Sequence, residues 1–139
     1  MLTGLLLLSA CAGGVPPGLG VRDGRLAACP TSPNCVASQE GDPDHRIEPL
    51  NYTGSRAAAL ERLAQVVAAQ PRTRIVSRSD DYLHAESRSL VFRFVDDLEF
   101  YLPAAQPRIE MRSAARSGWF DFGVNRRRLE TIRAALDPR

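Results

Sequence analysis

Two short tracts carry the side chains that could do chemistry. His84 and Glu86 stand two residues apart, and Asp96-Asp97-x-Glu99 follows with Arg93 just ahead of it. In an extended chain successive side chains point to opposite faces. His84 and Glu86 therefore share one face, Arg93, Asp97 and Glu99 share another, and Arg112 is in step with Arg108 and Glu110 on a later run. If neighbouring strands bring these together, an imidazole and three carboxylates meet on one surface. Such a group can serve in acid/base work or hold a divalent cation through oxygen ligands. Cross-strand ion pairing with Arg93 and Arg112 is the plainer use of the same residues. Asp96 falls on the opposite, apolar side of its strand. There it must find donors or a cation, because unpaired burial of a carboxylate is costly, or a bulge must turn it outward.

A second concentration of polar groups is Asn125-Arg126-Arg127-Arg128. It falls in the first turns of an expected helix, where the macrodipole disfavours cations. Either Asp121, Glu130 and the strand carboxylates offset the three charges, or Arg126 and Arg127 hold an anionic ligand or lipid headgroup through bidentate guanidinium contacts. Asn125 lies one turn before Leu129, as a core polar group or a ligand contact. Trp119, beside Gly118, is expected as a lid over the core. No Gly-x-Ser-x-Gly, His-Glu-x-x-His or phosphate-binding glycine loop accompanies these residues, which disfavours a conventional hydrolase or nucleotide enzyme.

The elements that must position these groups follow from periodicity. Ser55 caps an expected helix from Arg56 to Gln70, with Leu60, Leu63 and Val67 at helical spacing and Pro71 forcing a stop. Four runs have strand character: Thr73 to Ser77, Tyr82 to Ser87, Leu90 to Leu102 and Arg108 to Ser113. In the long third run Leu90, Phe92, Phe94, Leu98, Phe100 and Leu102 share one face. Asp121 caps a last helix from Phe122 to Leu136. The order is α-β-β-β-β-α, an α+β domain with an antiparallel sheet of about four strands and both helices on one face.

The N-terminus states an address. An apolar run, Leu2 to Leu8, leads into Leu8-Ser9-Ala10-Cys11, which resembles a bacterial lipobox. Residues 1–10 then read as a lipoprotein signal peptide and Cys11 as the lipid attachment site. The chain is expected to be lipid-anchored in the cell envelope, facing the periplasm. Met1-Leu2-Thr3-Gly4 lacks the cationic residues of a secretory signal, which points to a true start upstream. Residues 11–28, rich in Gly and Pro, read as a flexible tether, and 29–139 as a single domain. With Cys11 set aside, Cys29 and Cys35 flank a proline-stiffened turn, and in an oxidising compartment a disulfide is the expected outcome. Zinc held by Cys29, Cys35, His45 and His84 is the alternative.

Composition narrows the partners. The 139 residues carry a formal net charge of +2, with all 18 basic residues arginine. That charge is too small, and too interspersed with acids, to argue for nucleic acid.

Several tracts together resemble the uncharacterised DUF1499 family: Cys29-Pro30-Thr31-Ser32-Pro33-Asn34-Cys35-Val36, Tyr82-Leu83-His84-Ala85-Glu86, Arg93-Phe94-Val95-Asp96-Asp97-Leu98-Glu99-Phe100, Arg112-Ser113-Ala114-Ala115-Arg116-Ser117-Gly118 and Asp121-Phe122-Gly123-Val124-Asn125-Arg126-Arg127-Arg128. One departure is Ser87, where the pattern calls for an aromatic residue. The resemblance implies an exported lipoprotein among bacterial members and carries no established activity. Two readings follow. The first is a non-enzymatic envelope domain that binds a protein partner or small anionic ligand through its polar sheet face and the Arg126–Arg128 helix start, with no cofactor. The second is a metal-dependent or acid/base enzyme using His84, Glu86, Asp97 and Glu99.

Overall fold

The computed structural model describes residues 14–137. Ser55 Oγ accepts from Ala58 N at 3.1 Å and starts α1 (Arg56–Ala68), whose Leu60, Leu63, Ala64 and Val67 recur at helical spacing and are buried. A meander follows: β3 (Thr73–Arg78), β4 (Tyr82–Arg88), β5 (Val95–Tyr101) and β6 (Arg108–Ala115), then α2 (Val124–Leu136). Two short strands before α1, β1 (Cys35–Ala37) and β2 (Leu50–Asn51), both pair antiparallel with β6, one beyond the other. The sheet therefore has six strands, in the order β1-β6-β5-β4-β3 with β2 beside β6. The expected α+β class stands. The strand number rises because three- and two-residue pieces within a Pro-, Asp- and Ser-rich segment carry no periodic signal.

Strand alternation makes the sheet two-faced. Leu83, Ala85, Leu98, Phe100, Ile109 and Met111 turn toward Leu60, Leu63, Val67, Leu129 and Ile132 of the two helices and form the core. Burying each large apolar side chain contributes about 1.5–3 kcal/mol. The opposite face carries Tyr82, His84, Glu86, Asp97, Glu99, Glu110 and Arg112, and it too is mostly closed to water.

Three expectations are corrected. The long third strand begins only at Val95; Ser89 N donates to Phe94 O at 2.9 Å and Phe94 N to Ser89 Oγ at 2.8 Å, closing a hairpin connection. Arg88 is the last residue of β4 paired with β5, opposite Val95, so Leu90, Phe92 and Phe94 have no ladder to join and are exposed rather than core. The tether is partly laid on the domain: Leu26 is buried, its N–H donates to Gln39 Oε1 at 2.8 Å, and Gly20 N donates to Glu99 Oε1 at 2.7 Å. Gly20 has φ +102°, a conformation that residues with a side chain rarely adopt. The third correction concerns α2, whose N-cap is Gly123. Asp121 still serves the helix start, accepting from Gly123 N at 2.9 Å and Asn125 N at 3.0 Å.

Cys29 and Cys35 form a disulfide, and the zinc alternative falls with it, since a bridged sulfur offers no thiolate ligand. His45 instead turns its Nδ1 to Cys35 O at 2.9 Å. The bridge pins the N-terminal segment to β1. On the chain-entropy account so short a loop contributes about 2 kcal/mol. Under non-reducing conditions C35S should lower the unfolding free energy by about that amount in urea titrations, and added dithiothreitol should bring the wild-type chain to the same value. Identical urea midpoints for oxidised and reduced protein would contradict the assignment.

Candidate functional site

The polar face is built on three buried carboxylate stations. At the first, Asp97 on β5 faces Glu86 on β4. His84 Nε2 lies 2.7 Å from Asp97 Oδ1. The Arg116 guanidinium donates Nε to Asp97 Oδ2 at 2.8 Å and Nη2 to both Asp97 Oδ1 at 2.7 Å and Glu86 Oε1 at 2.6 Å. Arg74 adds a contact to Glu86 at 3.2 Å, and Arg88 another at 3.6 Å. At the second, fully buried Glu99 accepts from Tyr82 Oη at 2.8 Å, Gly20 N at 2.7 Å and Arg112 Nη1 at 3.3 Å. At the third, Glu110 accepts from Ser38 Oγ and lies 2.6 Å from Arg108 Nε. Among the described residues Arg112 Nε is buried without a hydrogen-bond partner.

These surroundings set the protonation states. Burial by itself would raise the carboxyl of Asp97, but hydrogen bonds from Arg116 and His84 outweigh it and hold Asp97 below the usual carboxylate range. Burial likewise opposes and Arg116 with Arg74 prevails at Glu86, which is also held low. Arg116 is raised, first by its hydrogen bond to Asp97. Burial, followed by the charge of Glu99, pushes the Tyr82 phenol far up. Each carboxylate here is engaged by donors within the chain, and among the described residues no group of three or more His, Cys, Asp and Glu is arranged to hold a metal ion.

The helix side holds a separate polar cluster. Asp96 points among the helices, as its strand position requires, and meets Arg128 at 2.9 Å. Burial nevertheless keeps its carboxyl above the usual range, Arg128 opposing. Asn125, fully buried, accepts from Ser113 Oγ and donates Nδ2 to Asp121 Oδ2 at 2.9 Å and Asn34 O at 3.3 Å. It joins β6, the start of β1 and the loop before α2. Burial opposes, but the Asn125 and Gly123 N–H groups hold Asp121 low.

The sequence-predicted residues thus divide. His84, Glu86 and Asp97 come together, Glu99 and Arg112 form a second pair beside them, and Asp96 and Asn125 lie on the other face. Arg93 sits in the β4–β5 connection at φ +55°, away from the acidic group it was expected to join. Arg126 donates to Arg46 O at 2.7 Å and Asp44 O at 3.0 Å, and Arg127 to Phe122 O at 2.7 Å, so backbone carbonyls rather than acids offset these charges. Trp119 is 55% exposed and covers no core. Arg116 was missed. Its signal was available, since 108, 110, 112, 114 and 116 share one parity and hence one face.

One opening remains beside the third station. Where β1 gives way to β2 along β6, Arg25, Gln39, Arg46, Arg108 and Glu110 line a cavity of about 260 Å³. Arg25, Arg46 and Arg108 line it together with Glu110; Arg108 pairs with Glu110 at 2.6 Å and Arg46 with Glu48 at 3.3 Å, which leaves Arg25 without a carboxylate partner among the described residues.

A family model described as "Protein of unknown function (DUF1499)" matches residues 25–136. No curated protein and no solved structure matches.

Removing one partner from a buried ion pair costs about 3–5 kcal/mol. R116M should therefore lose that much unfolding free energy at pH 7 by urea denaturation. In the wild-type chain Glu86 and Asp97 have depressed folded-state values. Their stabilisation is complete above the unfolded-state range near pH 4 and is lost as pH falls below it. R116M should instead regain stability between pH 7 and 5, because protonation relieves two buried carboxylates that have lost their shared guanidinium partner. Asp96, held high, acts in the opposite direction and loses its contribution as pH rises. A cost below about 1 kcal/mol for R116M would show that Arg116 does not hold the station together.

Proposed function

The chain belongs to the DUF1499 family, and we propose that it works as a non-catalytic, lipid-anchored domain of the cell envelope that binds a small anionic ligand. In this reading Cys11, outside the described residues, holds the protein to a bacterial membrane on the periplasmic side. The ligand enters the opening at the sheet edge. The observation that carries the reading is the cavity itself, lined by three arginines of which Arg25 has no carboxylate partner among the described residues, while Arg46 and Arg108 pair with Glu48 and Glu110 and keep further N–H groups to offer. Guanidinium forks match carboxylate and phosphate oxygens in pairs, and a space of about 260 Å³ suits a ligand of few heavy atoms. Arg25 Nη2 already donates to Gln39 O at 2.6 Å, which presets one of the three forks.

Two further points support this reading over acid/base catalysis. His84, Glu86, Asp97 and Glu99 are buried, and each is hydrogen-bonded to a partner inside the chain. A general base must instead come within hydrogen-bond reach of a substrate proton. The Cys29–Cys35 disulfide agrees with an oxidising, extracytoplasmic compartment.

Calorimetric titration with succinate and inorganic phosphate tests the ligand. Binding of at least one anion is expected, with R25A weakening it by about tenfold, as for a charge-assisted hydrogen bond. Absence of heat with both anions sinks the ligand reading. For the anchor, bacteria expressing the gene from its native locus are fed an alkynyl fatty acid. The protein should take up the label and C11S should lose it; an unlabelled wild-type chain removes the anchor.

A further inference from the structure

Two loops leave the same end of the sheet. The β4–β5 connection spans residues 89–94 and the β6–α2 loop spans 116–123, and Arg116 N donates to Val95 O at 2.9 Å where they begin. Between them they expose Leu90, Val91, Phe92, Phe94, Trp119, Phe120 and Phe122, at 55–87% of full exposure. Phe92 and Phe94 stack with ring centroids 5.7 Å apart. Each loop also holds a bulky residue in the left-handed region, Arg93 at φ +55° and Phe122 at φ +53°, where side chains with a Cβ are disfavoured.

The exposed charges of these two loops are positive, while the one acid, Asp121, is half-buried and keeps its negative charge. The first loop, Ser89-Leu90-Val91-Phe92-Arg93-Phe94, contains an arginine and no acid. The only acid of the second loop, Asp121, is occupied by the N–H groups of Gly123 and Asn125. Arg127 reaches back to the Phe122 carbonyl at 2.7 Å and puts its charge beside the aromatic tips.

We propose that this end of the domain is a membrane-docking surface, whose aromatic and aliphatic tips enter the headgroup region of an anionic bilayer while Arg93 and Arg127 meet the phosphates. Contiguous exposed apolar patches mark interaction sites. Trp and Phe rimmed by arginine suit the membrane–water interface in particular, where one side of the contact is apolar and the other anionic. The position is compatible with a lipid on Cys11, a point that alone rests on the anchor reading. Gly20 is fixed to Glu99, and the end of β5 at Val95 lies roughly 13 Å along the strand.

Trp119 is the sole tryptophan, so its fluorescence reports this end directly. With the full chain, vesicles of phosphatidylcholine mixed with phosphatidylglycerol should shift Trp119 emission to the blue, and vesicles of phosphatidylcholine alone should shift it far less. R93A should weaken the response about fivefold, the effect of one arginine near an anionic surface. F92S should weaken it further, with circular dichroism unchanged because both side chains are exposed. Vesicle binding without a change in Trp119 emission would overturn the proposal by assigning the contact to another part of the chain, Leu2 to Leu8 included. Emission already blue-shifted without lipid and indifferent to vesicles would overturn it in favour of a segment of this chain covering the patch. No response to any vesicle, together with a discrete protein adduct from a photocrosslinker at position 92, would overturn it in favour of a protein partner. None of these outcomes depends on fatty-acid labelling of Cys11, so the anchor and the docking surface fail separately.

Discussion

The fold is organised around carboxylates buried on the face of the sheet that turns away from the helices. Glu86, Asp97, Glu99 and Glu110 all lie below the surface, where an unpaired carboxylate would take up a proton or pull the structure open. Arg116 answers most of that demand with one planar group, forked onto Asp97 and extended to Glu86. A lysine could not make the same set of bonds, because its ammonium lacks the fixed fork. Arg116 reaches the site only if the β5–β6 register is held. Leu98 opposite Ser113 and Phe100 opposite Met111 put the apolar set toward the helices, while Glu99 opposite Arg112 puts the charged set on the other side. A one-residue slip would exchange the faces, stranding charges in the core and Phe100 among carboxylates. Both faces therefore enforce one register.

That two-sided demand explains why the N-terminal segment belongs to the domain. With both helices on one face, a sheet of this kind ordinarily leaves its other face to water. Here Gly20 supplies a backbone N–H to Glu99, Ser38 supplies a hydroxyl to Glu110, and the disulfide keeps the path between them close to β1. Across the sheet, Asn125 does the corresponding work with side-chain amide groups, linking Ser113, Asn34 and Asp121 at the start of α2. Arg126 and Arg133 then tie α2 to the carbonyls of the segment between Asp44 and Pro49. That segment sends only Ile47 into the core, and guanidinium-to-carbonyl bonds hold the rest of it.

What could be read from the sequence was whatever depends on period and local chemistry. Ser55 as N-cap, the Leu60–Leu63–Val67 stripe and the alternation of β4 and β6 all appear where their patterns place them. Asp96 met the cation its position demanded. The failures share a cause, since each turned on where a strand's neighbour ends or on what covers a face. Leu90, Phe92 and Phe94 alternate as a strand should, yet β4 offers no pairing beyond Arg88. Arg93 belongs to the acidic face by parity alone and is removed from it by the turn. Gly20 and Leu26 sit in a composition typical of a tether; no periodicity marks a segment held by scattered backbone N–H bonds and one buried side chain. The opening among Arg25, Arg46 and Arg108 joins three distant parts of the chain and has no local signature at all.

The contrast between the sealed face and the exposed end is itself informative. Closing off the carboxylates requires ordering an irregular segment, and ordering each residue costs roughly 1–2 kcal/mol in backbone entropy. The same chain leaves Leu90, Val91, Phe92 and Phe94 in water, forgoing up to roughly 1.5–3 kcal/mol of burial for each. Against a total stability of about 5–15 kcal/mol for a typical domain, the unrealised burial is comparable to everything that holds such a fold together. Ser89 closes the hairpin one residue after β4 ends, with both its hydroxyl and its N–H bonded to the Phe94 backbone, so the exposure is built into a defined turn and is no consequence of fraying. A fold that seals its polar groups so thoroughly while holding its aromatics outward in a fixed conformation has placed its apolar contact surface at this end.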